Sequence, residues 1–308
     1  MIADIANPYG ASTTEVASGE RVTVDAMRAR KHTGPPIVMV TAYDVGSGAA
    51  SRAAGIDIVL VGDSAANVVL GYPSTRDIRL DEMLSLAAAT RRGLERGPAE
   101  SRMPLLVGDL PFGSYEASDA QAVATARRFV DEAGCEAVKL EGGGAMVDRV
   151  RAIIADGIPV MGHVGLLPQS ARDESELRVQ GRTAERALEI AEEAVALDRA
   201  GCFSIVFEAV PAPLAALIAP RVAAPVIGIG AGVEVDGQVL VYHDLLGLHQ
   251  GKRPRFVKQY ASLFDASVEA LAEFTREVRA RAFPTAEQSY GMDEGELVRL
   301  RAAIEALG

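Results

Sequence analysis

Four acidic residues stand at the C-terminal ends of short apolar runs. Asp63 follows Ile58-Val59-Leu60-Val61, Asp109 follows Leu105-Leu106-Val107, Glu141 closes AVKLE and Glu208 closes FSIVFE. A single acid at such a place caps a turn or a following helix, but Glu is a poor N-cap, so the two glutamates argue for another use. Carboxylates gathered at one point repel each other and take up protons unless a cation sits between them. Hard oxygen donors of this kind favour Mg²⁺, which takes one or two carboxylates and leaves its other positions to water and substrate. The four histidines and two cysteines show no zinc-ligand spacing.

Lys139 precedes Glu141 by two positions, so period-two geometry puts both side chains on one face of a strand. A buried lysine needs a partner. At this point it can neutralise the acids, bind a substrate carboxylate or form a Schiff base. His163 ends the apolar run IPVMGH, where it can donate to substrate or anchor a loop. The glycines of GIGAG (228–232) suit either an anion-binding turn or simply a tight one. Asp44 precedes a run of small residues and reads as a helix cap. His243 and Asp244 are adjacent, and on a helix they would diverge by ~100°, which argues against a dyad.

The elements that carry these residues alternate. Strand candidates are 37–43, 57–62, 104–109, 137–141, 158–163, 203–208 and 225–229, with 255–259 preferred over 238–243 as the eighth. Helical patterns cover 80–96, 118–133, 145–156 and 182–200. Such alternation gives parallel strands with helical crossovers, and seven or eight units in about 250 residues fit a (β/α)8 TIM barrel. A doubly wound sheet is the alternative, but its G-x-G-x-x-G turn is missing after the first strand, where Tyr43-Asp44-Val45-Gly46 stands. A faint repeat aligns DEAGCEAVKLE (131–141) with DRAGCFSIVFE (198–208): helix end, glycine C-cap, buried strand, glutamate. In a barrel all strand C-termini share one face, and that face carries the active site. Neighbouring strands lie ~5 Å apart, so Asp63, Asp109 and Glu141 can converge.

The 308 residues are 49% hydrophobic, 24% charged and only 5% aromatic, with no Trp, so small and branched side chains must fill the core. A net charge of −11 repels phosphate backbones and argues against nucleic acid as a partner. No apolar run reaches the ~20 residues of a membrane span, and no signal-peptide pattern opens the chain. These features predict a cytoplasmic protein, with Cys135 and Cys202 as buried reduced thiols. Residues 1–20 read as a flexible extension, 21–290 as one barrel domain and 291–308 as an appended amphipathic helix.

Taken in order, TAYD (41–44), VGDS (61–64), DLPF (109–112), VKLEGG (138–143), the GH and GLLPQS of 162–170, VQGR (179–182), EAVP (208–211), PVIGIGAG (225–232) and DGQVLVYHDLLG (236–247) resemble the ketopantoate hydroxymethyltransferase family. The resemblance covers roughly residues 21–290. It implies a (β/α)8 barrel of the phosphoenolpyruvate/pyruvate type that binds Mg²⁺ and assembles as a homo-oligomer, commonly a decamer. It also implies transfer of a one-carbon unit from 5,10-methylenetetrahydrofolate to 3-methyl-2-oxobutanoate, through a Mg-stabilised enolate, giving ketopantoate for pantothenate synthesis. Carried over by position, Asp63 and Asp109 resemble the metal ligands, with Glu141 in the same metal site. Ser64 and Lys139 resemble the groups holding the keto acid, with His163 beside them, and Glu208 resembles the acid/base.

The chain leaves the family pattern at Ala65-Ala66-Asn67, at 73–79 and at 171–178. The residue set by itself also accommodates a Mg²⁺-dependent 2-oxo-acid aldolase or lyase, or a keto-acid-binding paralogue without activity.

Overall fold

The structure is a computed structural model that describes residues 20–31, 33–171, 176–249, 251 and 253–307. Nearly all of the expected N-terminal extension, and positions 172–175 of the variant loop, lie outside the described residues.

Eight parallel strands close into a barrel in chain order. They are β1 Ile37–Thr41, β2 Ile58–Val61, β3 Leu105–Asp109, β4 Ala137–Lys139, β5 Val160–Gly165, β6 Ser204–Glu208, β7 Val226–Ile229 and β8 Gly237–Leu240. The helices up to the end of the barrel strands are α1 Val24–Arg28, α2 Val45–Ala53, α3 Ala65–Val68, α4 Leu80–Glu95, α5 Asp119–Asp131, α6 Met146–Ala155, α7 Ala184–Ala200 and α8 Ala212–Ile218, and α9 Tyr242–Leu246 follows β8. Seven strands fall on their expected segments. The eighth does not: β8 comes from the QVLVYH stretch, and 255–259 forms no strand. Gly237 pairs with Ile37 on one side and with Ile227 on the other, closing the ring. The connection from β7 to β8 contains no helix, so the expected strand–helix–strand spacing pointed too far along the chain. Phe256, in the rejected segment, instead packs on Gly230, where a Cβ would lie 2.6 Å from its ring.

Side chains alternate along each strand. The inward rows begin apolar, with Ile37 and Met39, Ile58 and Leu60, Leu105 and Val107, Ala137, Met161, Val206, Ile227 and Val239 forming the barrel interior. Two residues further on, the same rows reach Thr41, Asp109, Lys139, His163 and Glu208. The polar layer therefore sits directly above a packed apolar one, at the strand C-termini. The outward rows, such as Val59 and Val61 or Ile205 and Phe207, pack against the helices in the larger core. Two of those helices, α2 and α4, approach so closely that a Cβ on Gly93 would lie 2.3 Å from the Val45 carbonyl oxygen.

Local signals hold as read. Asp44 caps α2, accepting from the Ser47 amide at 2.7 Å. Gly201 ends α7 in the left-handed conformation at φ 102°. His243 and Asp244 lie on α9. Cys135 and Cys202 are free and buried, and burial pushes the Cys202 thiol up to about 12.

At the N-terminal end of the barrel, α1 supplies Met27 to the interior. Nearby, Arg30 donates two 2.8 Å hydrogen bonds to Asp57, which also accepts from the Val38 amide at 3.0 Å. Asp57→Ala strands a guanidinium and a backbone N–H together, an expected loss of about 3–5 kcal/mol. Thermal unfolding checks this; a melting temperature equal to wild type would show that the pair holds nothing. Turnover below the transition should be unchanged, because Asp57 lies at the end of the barrel away from the polar layer.

The chain divides into two compact units. One runs through Leu245 and takes in Gly251–Gln259; the other starts at Leu246 and resumes at Tyr260. The second holds α10 Leu263–Arg279 and α11 Glu294–Glu305. Val268, Leu271, Phe274 and Val278 are exposed on α10. Among the described residues no helix is long and apolar enough to cross a membrane.

Candidate active site

A cavity of about 110 Å³ opens at the C-terminal ends of the strands, lined by Asp63, Ser64, Asp109, Lys139, Glu141, His163 and Glu208. All seven site residues read from the sequence thus meet in one place. Asp63, Asp109, Lys139, Glu141 and His163 are buried, whereas the Glu208 side chain keeps 20% of its exposure. Register explains the grouping. Asp109 and Lys139 are paired neighbours on β3 and β4, and the Lys139 ammonium donates to both Asp109 oxygens at 2.9 and 2.8 Å. Of the three roles open to Lys139, the protein shows the pairing one. The Asp63 amide donates to Asp109 Oδ2 at 3.3 Å. His163, on the intervening β5, places Nδ1 3.5 Å from Glu141 and Nε2 3.3 Å from Glu208. It separates the acid cluster from Glu208, and neither contact has the geometry of a good hydrogen bond.

Burial works against charge throughout this site. Desolvation, then the neighbouring Asp109 and Glu141, hold the Asp63 carboxyl well above its usual range despite Lys139 and Gln169. Burial also opposes the charge on Lys139, but Asp109, Glu141 and Asp63 outweigh it and raise its pKa. Burial and Lys139 likewise oppose a proton on His163, and the two flanking glutamates override them, pushing it up to about 9. Four acidic side chains thus share one cavity with Lys139 and His163.

Two partners of these acids escaped sequence reading. Gln169, on a single 3-10 turn Pro168–Ser170, is buried; its side-chain amide donates to Asp63 Oδ2 and to the Leu110 carbonyl, each at 3.0 Å. Its backbone amide donates to Glu141 Oε2 at 3.0 Å. The Tyr115 hydroxyl donates to Gln169 Oε1 at 2.8 Å. Both residues sit on loops within the quoted DLPF and GLLPQS neighbourhoods, where no periodicity marks an inward side chain. Ser64 is held by Tyr43, hydroxyl to hydroxyl at 2.8 Å.

The donor set suits a hard divalent cation, since it is all oxygen and short of positive charge. Asp109 Oδ2 accepts from both Lys139 and the Asp63 amide, whereas Asp109 Oδ1, Asp63 Oδ2 and Glu141 Oε2 each accept one such bond and keep a second lone pair. Among the described residues no three of His, Cys, Asp and Glu enclose a metal by themselves.

Among the described variant positions, Thr75 borders the cavity and the 65–67 segment does not. Ala65 and Ala66 are buried in the outer core, and Asn67 donates to the Tyr72 carbonyl at 2.9 Å. Thr75 does line the cavity, and Arg76 stacks over the Phe112 ring at 3.8 Å. The glycines of GIGAG form a tight turn: Gly230 and Gly232 have φ of 68° and 86°, and a Cβ on Gly232 would meet Ala212 at 2.4 Å.

A closed parallel barrel whose C-terminal mouth gathers acids, a lysine and a histidine around a small cavity defines a (β/α)8-barrel enzyme of small-molecule chemistry. The chain belongs to the ketopantoate hydroxymethyltransferase family, whose sequence model matches residues 21–286. It is 50% identical over 275 residues to the 3-methyl-2-oxobutanoate hydroxymethyltransferase of Moorella thermoacetica, covering 89% of this chain and all of that one. It is 46% identical to the mitochondrial 3-methyl-2-oxobutanoate hydroxymethyltransferase 1 of Arabidopsis thaliana, covering 94% of this chain and 83% of that one. Among solved structures, phosphoenolpyruvate phosphomutase from Streptomyces platensis shares the fold, with a TM-score of 0.55 at 13% identity over 92% of this chain and 96% of that one.

Proposed function

We propose that the protein transfers a hydroxymethyl group from 5,10-methylenetetrahydrofolate to 3-methyl-2-oxobutanoate, giving 2-dehydropantoate. The observation that carries this reading, beside family membership, is the division of one cavity by His163: an acid–lysine cluster on one side, the more exposed Glu208 on the other. Ser64 and Lys139 hold the carboxylate of the keto acid. Glu208 removes the proton from C3, the step that needs a base at the mouth. Water adds to the methylene carbon as its two C–N bonds break, giving formaldehyde and tetrahydrofolate with the two water protons on its nitrogens. Carbanionic C3 then adds to the formaldehyde carbon, a C–C bond replaces the C=O π bond, and the alkoxide takes up the proton that Glu208 removed. Asp63 and Asp109 would hold Mg²⁺, with Glu141 beside them. Bound there, the ion supplies Lewis-acid polarisation of the 2-oxo group. His163 stays between Glu141 and Glu208 and keeps the base apart from the acid cluster.

The test is product formation from the two substrates with Mg²⁺, set beside a related hydroxymethyltransferase. Absence of 2-dehydropantoate where the relative makes it rejects the reading. Turnover with a free aldehyde and indifference to folate would instead mark an aldolase. In this reading the enzyme works in the cytoplasm as a homo-oligomer, supported by the exposed apolar side chains of α10. Light scattering that returns the mass of one chain would reject the assembly.

A further inference from the structure

We infer that Gln169, locked by Tyr115, is a positioning residue that presents Asp63 and Glu141 to the divalent cation. The inference rests on the metal reading above.

Gln169 makes four polar contacts, and each is accounted for. The Leu110 carbonyl can only accept, so the Gln169 atom 3.0 Å from it must be the amide nitrogen. The same nitrogen faces Asp63 Oδ2, so its two hydrogens are both spent. The remaining oxygen, Oε1, accepts from the Tyr115 hydroxyl. An amide oxygen can only accept, so in this contact the hydroxyl is the donor. A flip of the amide would set two oxygens against each other at both Asp63 and Leu110. The orientation is therefore determined by its partners.

The consequence falls on the acids. One oxygen of Asp63 and one of Glu141 are each turned toward Gln169, the first by its side chain and the second by its backbone N–H. The other oxygen of each carboxylate is thereby directed away from the Pro168–Ser170 turn. Glu141 Oε1 in fact faces His163, on the cavity side. Asp63 comes from the end of β2 and Glu141 from the end of β4, so no strand register links the two directly. Gln169 makes that link from a loop. Donors of this kind orient ligands and tune metal affinity, and their loss typically costs ~10–100-fold in affinity or activity.

The experiment measures Mn²⁺ binding by loss of the free-ion EPR signal, in wild type, Gln169→Leu and Tyr115→Phe, with thermal melts of each. Wild type should bind Mn²⁺. Gln169→Leu should bind it at least ~10-fold more weakly, at the low end of the range for such donors. Tyr115→Phe keeps the amide and its two donated bonds but leaves Oε1 without a donor, so it should show a smaller loss of the same sign. The KM for keto acid at saturating metal should move less than the metal dissociation constant. A lowered melting temperature with unchanged Mn²⁺ affinity in both variants overturns the inference and leaves Gln169 a packing residue. Wild type failing to bind Mn²⁺ overturns the metal reading itself, a result separable from the first. If Gln169→Leu does not fold, Tyr115→Phe alone decides: unchanged affinity there also overturns the inference.

Discussion

Glu208→Gln is expected to abolish exchange of the C3 proton of 3-methyl-2-oxobutanoate while leaving the fold intact. Positioned general bases contribute about 10²–10⁴-fold, and the amide cannot accept the proton. The substitution is nearly isosteric. Glu208 ends β6, its side chain keeps 20% exposure, and its Oε2 lies 3.3 Å from His163 Nε2. The melting temperature should therefore stay close to wild type, and the keto acid should still bind through Ser64, which follows β2, and Lys139 on β4. The measurement is the decay of the C3–H signal in D₂O by NMR, with binding of the keto acid titrated in parallel. Exchange at the wild-type rate would assign the base elsewhere. A loss of binding equal to the loss of rate would make Glu208 a substrate contact rather than a base.

Lys139→Met should be the most damaging single change to the site's own stability. Lys139 donates to both oxygens of Asp109, and the two side chains are 5% and 1% exposed. Removing the ammonium leaves Asp109 buried beside Asp63 with no cation between them. Breaking a buried pair from one side costs about 3–5 kcal/mol, because the remaining charge has no compensation. Calorimetric or denaturant unfolding measures the loss. A divalent cation should restore more stability to the variant than it adds to wild type, since it supplies part of the missing charge. Equal stabilisation of both proteins would separate Asp109 from the cation site. The KM for keto acid should rise as well, because the variant has no ammonium to meet the substrate carboxylate.

How far these residues could be read from the chain depends on which elements carry them. Asp109, Lys139, His163 and Glu208 continue the inward rows of β3, β4, β5 and β6, so an alternating pattern points at them directly. Asp63 and Glu141 lie just past their strands and were legible because the preceding apolar runs stop there. Gln169 and Tyr115 had no such signal. They reach the acids from loops, and a loop imposes no period on its side chains. The eighth strand was misplaced for a related reason: β8 follows β7 without a helix, and its identity is settled by pairing with β1, some 200 positions earlier by sequence number.

By itself, the sequence determined the barrel class, the apolar interior, the helix caps and the set of strand-end acids, because each rests on a local period or a local run. The ordered motifs determined the family. Only the tertiary structure decided which acids share a partner. Lys139 went to Asp109 rather than to Glu141, its neighbour two positions on, because β3 and β4 are in register at that point. His163 came to lie between two glutamates because β5 runs between their strands. Gln169 met Asp63, more than a hundred residues away in the chain, because closing the barrel folds that loop over its mouth. Such contacts depend on the closure of the whole ring, and no window of the sequence contains that closure.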